Sequence, residues 1–154
     1  VIALNGGVTS PFGGVQISNV ATEGLHEFSF NTVTGNGGAS NAITGVECLA
    51  ILTPLTFSSN IVYLNQVAGT GTQVGGDDDC SWTYSDIGPE TVAGTGNINE
   101  DPEFVDPENR DFHLQPTSPA RNAADPTATI TRDIDGDARP EGGLSDMVEE
   151  EVAD

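Results

Sequence analysis

The sequence predicts an all-β fold. Three observations carry that reading: apolar residues alternate with polar ones instead of recurring at helical spacing, Gly-rich turns separate the alternating runs, and strand-like segments repeat weakly along the chain.

Val15 to Val20 and Glu27 to Val33 alternate apolar with polar residues and are rich in β-branched and aromatic types, which predicts two half-buried strands. Val46 to Leu52 and Ile61 to Leu64 are short apolar runs bounded by Gly, Pro, Asn and Ser, as buried strands are. Turns with positive φ are expected at Gly13-Gly14, from Gly35 to Gly38, and at Gly69 and Gly71. The repeat joins these pieces. Asn31-Thr-Val-Thr-Gly-Asn36 recurs as Asn60-Ile-Val-Tyr-Leu-Asn65 after 29 residues, and Ser81-Trp-Thr-Tyr-Ser-Asp86 follows 21 residues later. Such a period without helices fits one coil of a parallel β-solenoid, in which an Asn at a turn bonds its counterpart in the next coil. An antiparallel sandwich with Gly-rich turns has the same local pattern.

Composition divides the 154 residues near Gly76. Residues 1–76 hold 24 of the 36 Val, Ile, Leu and Phe and only three charges, Glu23, Glu27 and Glu47. Residues 77–154 hold the other 12, with 21 acids against four Arg, a composition that alone reads as disordered. Bound cations, docking onto the first half, or disorder would each answer that charge. The net charge of −20, without one Lys, excludes a nucleic-acid binder and opposes docking on anionic lipid. No apolar run reaches the roughly 18 residues of a membrane span. The chain starts at Val1 without a leader, as a mature chain or an excised piece does.

The block Gly96-Asn-Ile-Asn-Glu-Asp101-Pro-Glu-Phe104-Val-Asp106-Pro-Glu-Asn-Arg-Asp111-Phe-His113-Leu-Gln-Pro116-Thr-Ser118-Pro119-Ala resembles the C-terminal signature of bacterial extracellular right-handed parallel β-helix proteins. That group is related to pectate-lyase-like repeat proteins and often carries "choice-of-anchor" tails. Asp133-Ile-Asp135-Gly136-Asp137-Ala-Arg139-Pro140, Gly142-Gly143 and Asp146 look like the same closing segment, and the match covers roughly residues 13–147. Arg110 and Thr117 stand where the family usually has Gly, which implies different turns there. The resemblance implies a right-handed parallel β-helix, with coils over 1–95, an acidic, loop-rich cap over 96–147 packed on the last coil, and an acidic tail at 148–154. It also implies a secreted or cell-surface location, without naming an activity.

In that setting Cys48 and Cys80 are expected to form a disulfide, since two Cys without nearby His are too few for zinc. Asp133, Asp135 and Asp137 alternate around Gly136, a spacing that lets three carboxylates converge on Ca²⁺, which takes six to eight oxygens. It is not an EF-hand, because Gly follows the second Asp. Asp77-Asp78-Asp79 reads as a solvated run, and Asp101 and Asp106, each before a Pro, read as turn organisers.

The expected function is non-catalytic: a Ca²⁺-stabilised extracellular module with a structural, adhesive or self-assembling role. The alternative is a fragment of a polysaccharide lyase or glycoside hydrolase acting on extracellular carbohydrate. A lyase base is usually Arg or Lys, and every Arg lies between 110 and 139. A glycosidase needs two carboxylates about 5–9.5 Å apart, for which Glu23 and Glu27 share a strand face. His26 and His113 are the only imidazoles, and His113 reads as structural. At the N-terminal end, Val1-Ile2-Ala3-Leu4 is expected to form an unpaired edge on which further coils or identical subunits stack.

Overall fold

The computed structural model describes residues 1–7, 9–11, 13–18, 26–39, 42–49, 54–65, 72–76, 78, 80–133, 135, 136 and 147. Among them the regular elements are twelve strands and one 3₁₀ turn, Pro107–Asn109. The strands are β1 (Ile2–Ala3), β2 (Val15–Ser18), β3 (Glu27–Ser29), β4 (Thr32–Thr34), β5 (Ile43–Leu49), β6 (Leu55–Ser58), β7 (Ile61–Tyr63), β8 (Thr72–Gly76), β9 (Cys80–Thr83), β10 (Asp86–Gly88), β11 (Phe104–Asp106) and β12 (Asp111–Leu114). The fold is all-β.

The chain runs β2-β3-β4, then β5-β6-β7, then β8-β9-β10, and each pass adds one strand to each of three sheets. Their orders are β2-β5-β8, β3-β6-β9 and β1-β4-β7-β10. All pairings within them are parallel, unlike those of an antiparallel sandwich. The inward rows form one core: Val33, Val62 and Ile87 from the four-stranded sheet meet Val46 and Cys48 from β5 and Leu55, Phe57 and Trp82 from β6 and β9. Phe57 stacks on Trp82 with ring centres 4.5 Å apart.

The corners explain how so short a repeat stays regular. Phe30, Ser59 and Tyr84 take φ of 54°, 58° and 46°, each just before the strand of the four-stranded sheet. Leu4, Gly35 and Leu64 take φ of 59°, 64° and 49° just after it. A non-Gly residue in this region costs on the order of 1 kcal/mol, so the neighbouring bonds must compensate. They do. Behind each left-handed residue sits Asn31, Asn60 or Ser85 at one corner and Asn5, Asn36 or Asn65 at the other. Asn31 donates its backbone N–H and Nδ2 to Asn60 Oδ1 (3.0 and 3.2 Å), and Asn60 donates its N–H to Ser85 Oγ (3.1 Å). Asn36 donates in the same way to Asn65 Oδ1 (3.1 and 2.8 Å). Asn36, Asn60 and Asn65 are fully buried, so these bonds form away from competing water.

Two expectations are corrected. Glu27 to Val33 is not one strand, because the left-handed Phe30 breaks it into β3 and β4. The third repeat begins at Ser85, not Ser81, because β10 pairs Asp86 with Ile61, and a hydroxyl serves there as the acceptor that Asn supplies elsewhere.

Residues 90–98 cross the far edge of all three sheets. Glu90 Oε1 accepts from the N–H groups of Gln73 and Val74 (2.8 and 3.0 Å), Asn97 Nδ2 donates to the Trp82 carbonyl (3.1 Å), and Ile98 bridges Asp86 of β10. The chain then folds over the outer face of the four-stranded sheet. Leu114, Ala120, Ala124 and Met147 pack there on Ile61.

Candidate functional site

Outward from the four-stranded sheet point two rows in register, Ala3-Thr34-Tyr63-Gly88 and Thr32-Ile61-Asp86. Over them lies the hairpin β11-β12, whose turn is the 3₁₀ segment ended by Arg110 at φ 67°. Arg110 therefore adopts the conformation that Gly would favour at this position.

Between the first row and the hairpin are two clefts. One, of about 480 Å³, is bordered by Thr34, Tyr63, Asp101, Glu103, Phe104 and Thr117. The other, of about 450 Å³, is bordered by Ala3, Leu4, Arg110 and Phe112. Aromatic faces beside carboxylates and hydroxyls line the first, but Asp101, Glu103 and Thr117 already bond to one another. Thr117 Oγ1 donates to Glu103 Oε2 (2.5 Å), and Asp101 Oδ1 accepts the Glu103 N–H (2.9 Å). Asp106, Asp111 and Asp125 likewise accept backbone N–H groups two or three residues ahead. The Asp-Pro acids act as turn organisers.

Asp86 is different. It is fully buried, neither carboxylate oxygen has a hydrogen-bond partner among the described residues, and its pKa is pushed up to about 7. Burial is the main cause, and the charges of Glu100 and Asp101 add to it while the nearby Glu100 amide opposes them. Tyr63 is also raised, by burial first and then by Asp101, Asp86 and Glu100.

His113 joins the hairpin to the segment after it. Its Nδ1 lies 2.5 Å from Asp111 Oδ1 and its Nε2 3.4 Å from Asp135 Oδ2. The bond to Asp111 is the main reason its pKa is raised, and the same bond lowers Asp111.

Of the expected site residues, Cys48 and Cys80 are joined by a disulfide, with Cα atoms 6.5 Å apart, linking β5 to β9. Asp133 and Asp135 precede Gly136, which turns with φ 93° and donates its N–H to the Asp133 carbonyl, and Asp135 reaches His113; Asp137 lies outside the described residues. No group of three His, Cys, Asp or Glu side chains suited to a metal occurs among the described residues. Glu23, Asp77 and Asp79 lie outside them, and His26 and Glu27 are exposed. Sequence reasoning missed Asp86, whose only signal was an acid within an otherwise apolar strand.

Searches against family models, curated proteins and solved structures returned no match to this chain.

Proposed function

We propose that the chain forms a right-handed parallel β-helix of the extracellular, pectate-lyase-like kind and serves as a non-catalytic, secreted or cell-surface module with a structural, adhesive or self-assembling role. The observation that carries this reading is where the buried polar side chains go. Asn36, Asn60, Asn65 and Gln73 bond one pass of the chain to another part of the stack, not a cleft. The disulfide adds a cross-link of the kind that oxidising compartments permit. At the near end, β1, β2 and β3 have no strand on their outer edges among the described residues, and further coils or identical subunits are the partners proposed for those edges. Ca²⁺ at Asp133, Asp135 and Asp137 is part of the same proposal, supported by the acidity of the second half. EGTA should then lower the melting temperature, and Asp135→Ala should remove that response.

The second reading, a glycoside hydrolase or lyase fragment acting on extracellular carbohydrate, is favoured by the cleft that Tyr63, Asp101 and Glu103 share. One experiment separates the two. Incubation with neutral and anionic polysaccharides should leave their chain length unchanged; shortening that Glu103→Gln abolishes would overturn the structural reading. Sedimentation velocity at rising concentration tests assembly, and a single unchanging species would exclude self-stacking.

A further inference from the structure

The geometry around Asp86 points to a device that is independent of the proposed function. Asp86 stands at the junction where the last strand of the four-stranded sheet receives the segment that closes it. The Ile87 N–H donates to the Ile98 carbonyl and the Ile98 N–H to the Ser85 carbonyl, both at 2.9 Å. Flanking bonds run from the Tyr84 N–H to the Thr95 carbonyl (2.7 Å) and from the Ser85 N–H to Asn97 Oδ1 (3.0 Å). Amid these satisfied groups sits a fully buried carboxyl for which neither oxygen makes a hydrogen bond of good geometry among the described residues, with the Glu100 amide the donor beside it. Among the described residues the charged groups acting on it are acids: Tyr63 faces it from β7, and Glu100 and Asp101 from the segment just past Ile98. The stretch packed on neighbouring Ile61 presents Ala120 and Ala124, with Arg121 and Asp125 next to them in the chain. An ionised carboxylate here is unsolvated and faces like charge, so it must either take up a proton or regain water by displacing what covers it.

We propose that Asp86 is a proton-operated latch: a neutral carboxyl keeps residues 95–101 seated on β10, and its ionisation lifts them. The folded-state value, about 7, lies above the ordinary 3.8. The seated form therefore holds the proton more tightly than the lifted one. Seating is undisturbed below the ordinary value, weakens as pH rises between the two, and is constant above the raised value.

Amide hydrogen exchange at Ile98 and Ile87 reads this directly. The opening constant, corrected for the intrinsic rate, should rise about tenfold per pH unit between roughly pH 5 and 7 and then level off, as the linkage relation requires. In Asp86→Asn it should be flat. His113→Gln should leave the wild-type profile intact, which separates the latch from the imidazole, whose pKa is also raised. Parallel profiles in wild type and Asp86→Asn would overturn the proposal, as would a flat profile in His113→Gln. Should Asp86→Asn not fold, the carbon-13 titration of the Asp86 carboxyl in the wild type decides alone. A midpoint near the ordinary carboxylate value defeats the proposal, and one coinciding with the loss of Ile98 protection supports it.

Discussion

The stack of strands from β2 to β10 and the segment that follows it are ordered by different means. In the stack, inward rows of Val, Ile, Leu and Phe make a core, and side-chain amides bond across the passes at two corners. The later segment has few apolar residues of its own, and its turns are held by Asp side chains that accept nearby N–H groups. What positions it is Leu114, Ala120, Ala124 and Met147 resting on Ile61, an outward residue of the stack. A composition that reads as disordered is thus ordered by docking on a surface built elsewhere in the chain.

The sharpest test of that contrast compares two aromatic truncations. Phe57 is fully buried between Phe28 and Trp82, with ring centres 5.5 and 4.5 Å away, so Phe57→Ala should cost about 3–5 kcal/mol. Phe104 is half-buried and meets Phe112 edge-on at 5.3 Å, so Phe104→Ala should cost nearer 1 kcal/mol. Urea titration of both variants checks this; equal losses would show that the later segment has a core of its own.

Next in size is the disulfide. It closes a separation of 32 residues between β5 and β9, and chain entropy alone predicts about 3–4 kcal/mol. The Cys48→Ser, Cys80→Ser double variant should lower the urea midpoint accordingly, and intact mass before and after reduction should differ by two hydrogens. Free thiols in the purified protein would remove this cross-link from the account of the stack.

Somewhat smaller is the effect at the corners. Asn65 donates Nδ2 to the Val33 carbonyl (2.6 Å) and to Gln73 Oε1 (3.1 Å) and accepts two bonds from Asn36, all of them buried. Asn65→Ala leaves several of these partners unsatisfied and should cost about 2–4 kcal/mol. Asn31→Ala, at the half-buried start of its ladder, should cost about 1 kcal/mol. Comparable losses at both positions would mean that the ladders owe little to burial.

The difference between the regions also governs what could be read in advance. Alternation located β2 and β3, and the offset between Asn31 and Asn60 is the true register, because β4 and β7 pair residue for residue. Left-handed backbone was expected at glycines, and of the corner residues only Gly35 is one. Leu4, Phe30, Ser59, Leu64 and Tyr84 carry no such signal, because the neighbouring ladder, not their own chemistry, holds them there. Asp86 was illegible for a related reason. Its burial depends on residues 98–124 folding back over an outward face, and no local pattern encodes that. The contact of His113 with Asp135 spans 22 residues and is equally hidden.

The smallest expected effect is at His113, where the segment past the hairpin is tied down by charge. Neutral imidazole has one N–H, so it can donate to Asp111 and Asp135 together only when protonated. The raised pKa of His113 means its contribution is complete below 6.5, the ordinary value, and is lost as pH rises through the raised one. The lowered pKa of Asp111 means the opposite at the acid side: its contribution is present above 3.8 and lost as pH falls through the lowered value. The stability difference between wild type and His113→Gln should therefore be largest between pH 3.8 and 6.5 and fade as pH rises through the raised value of His113. It should stay below about 1 kcal/mol and shrink with salt, because these side chains are 30–52% exposed. Thermal melts across that range check the sign. A difference that grows with pH would mean that His113 acts through packing, and that the later segment is held as the stack is.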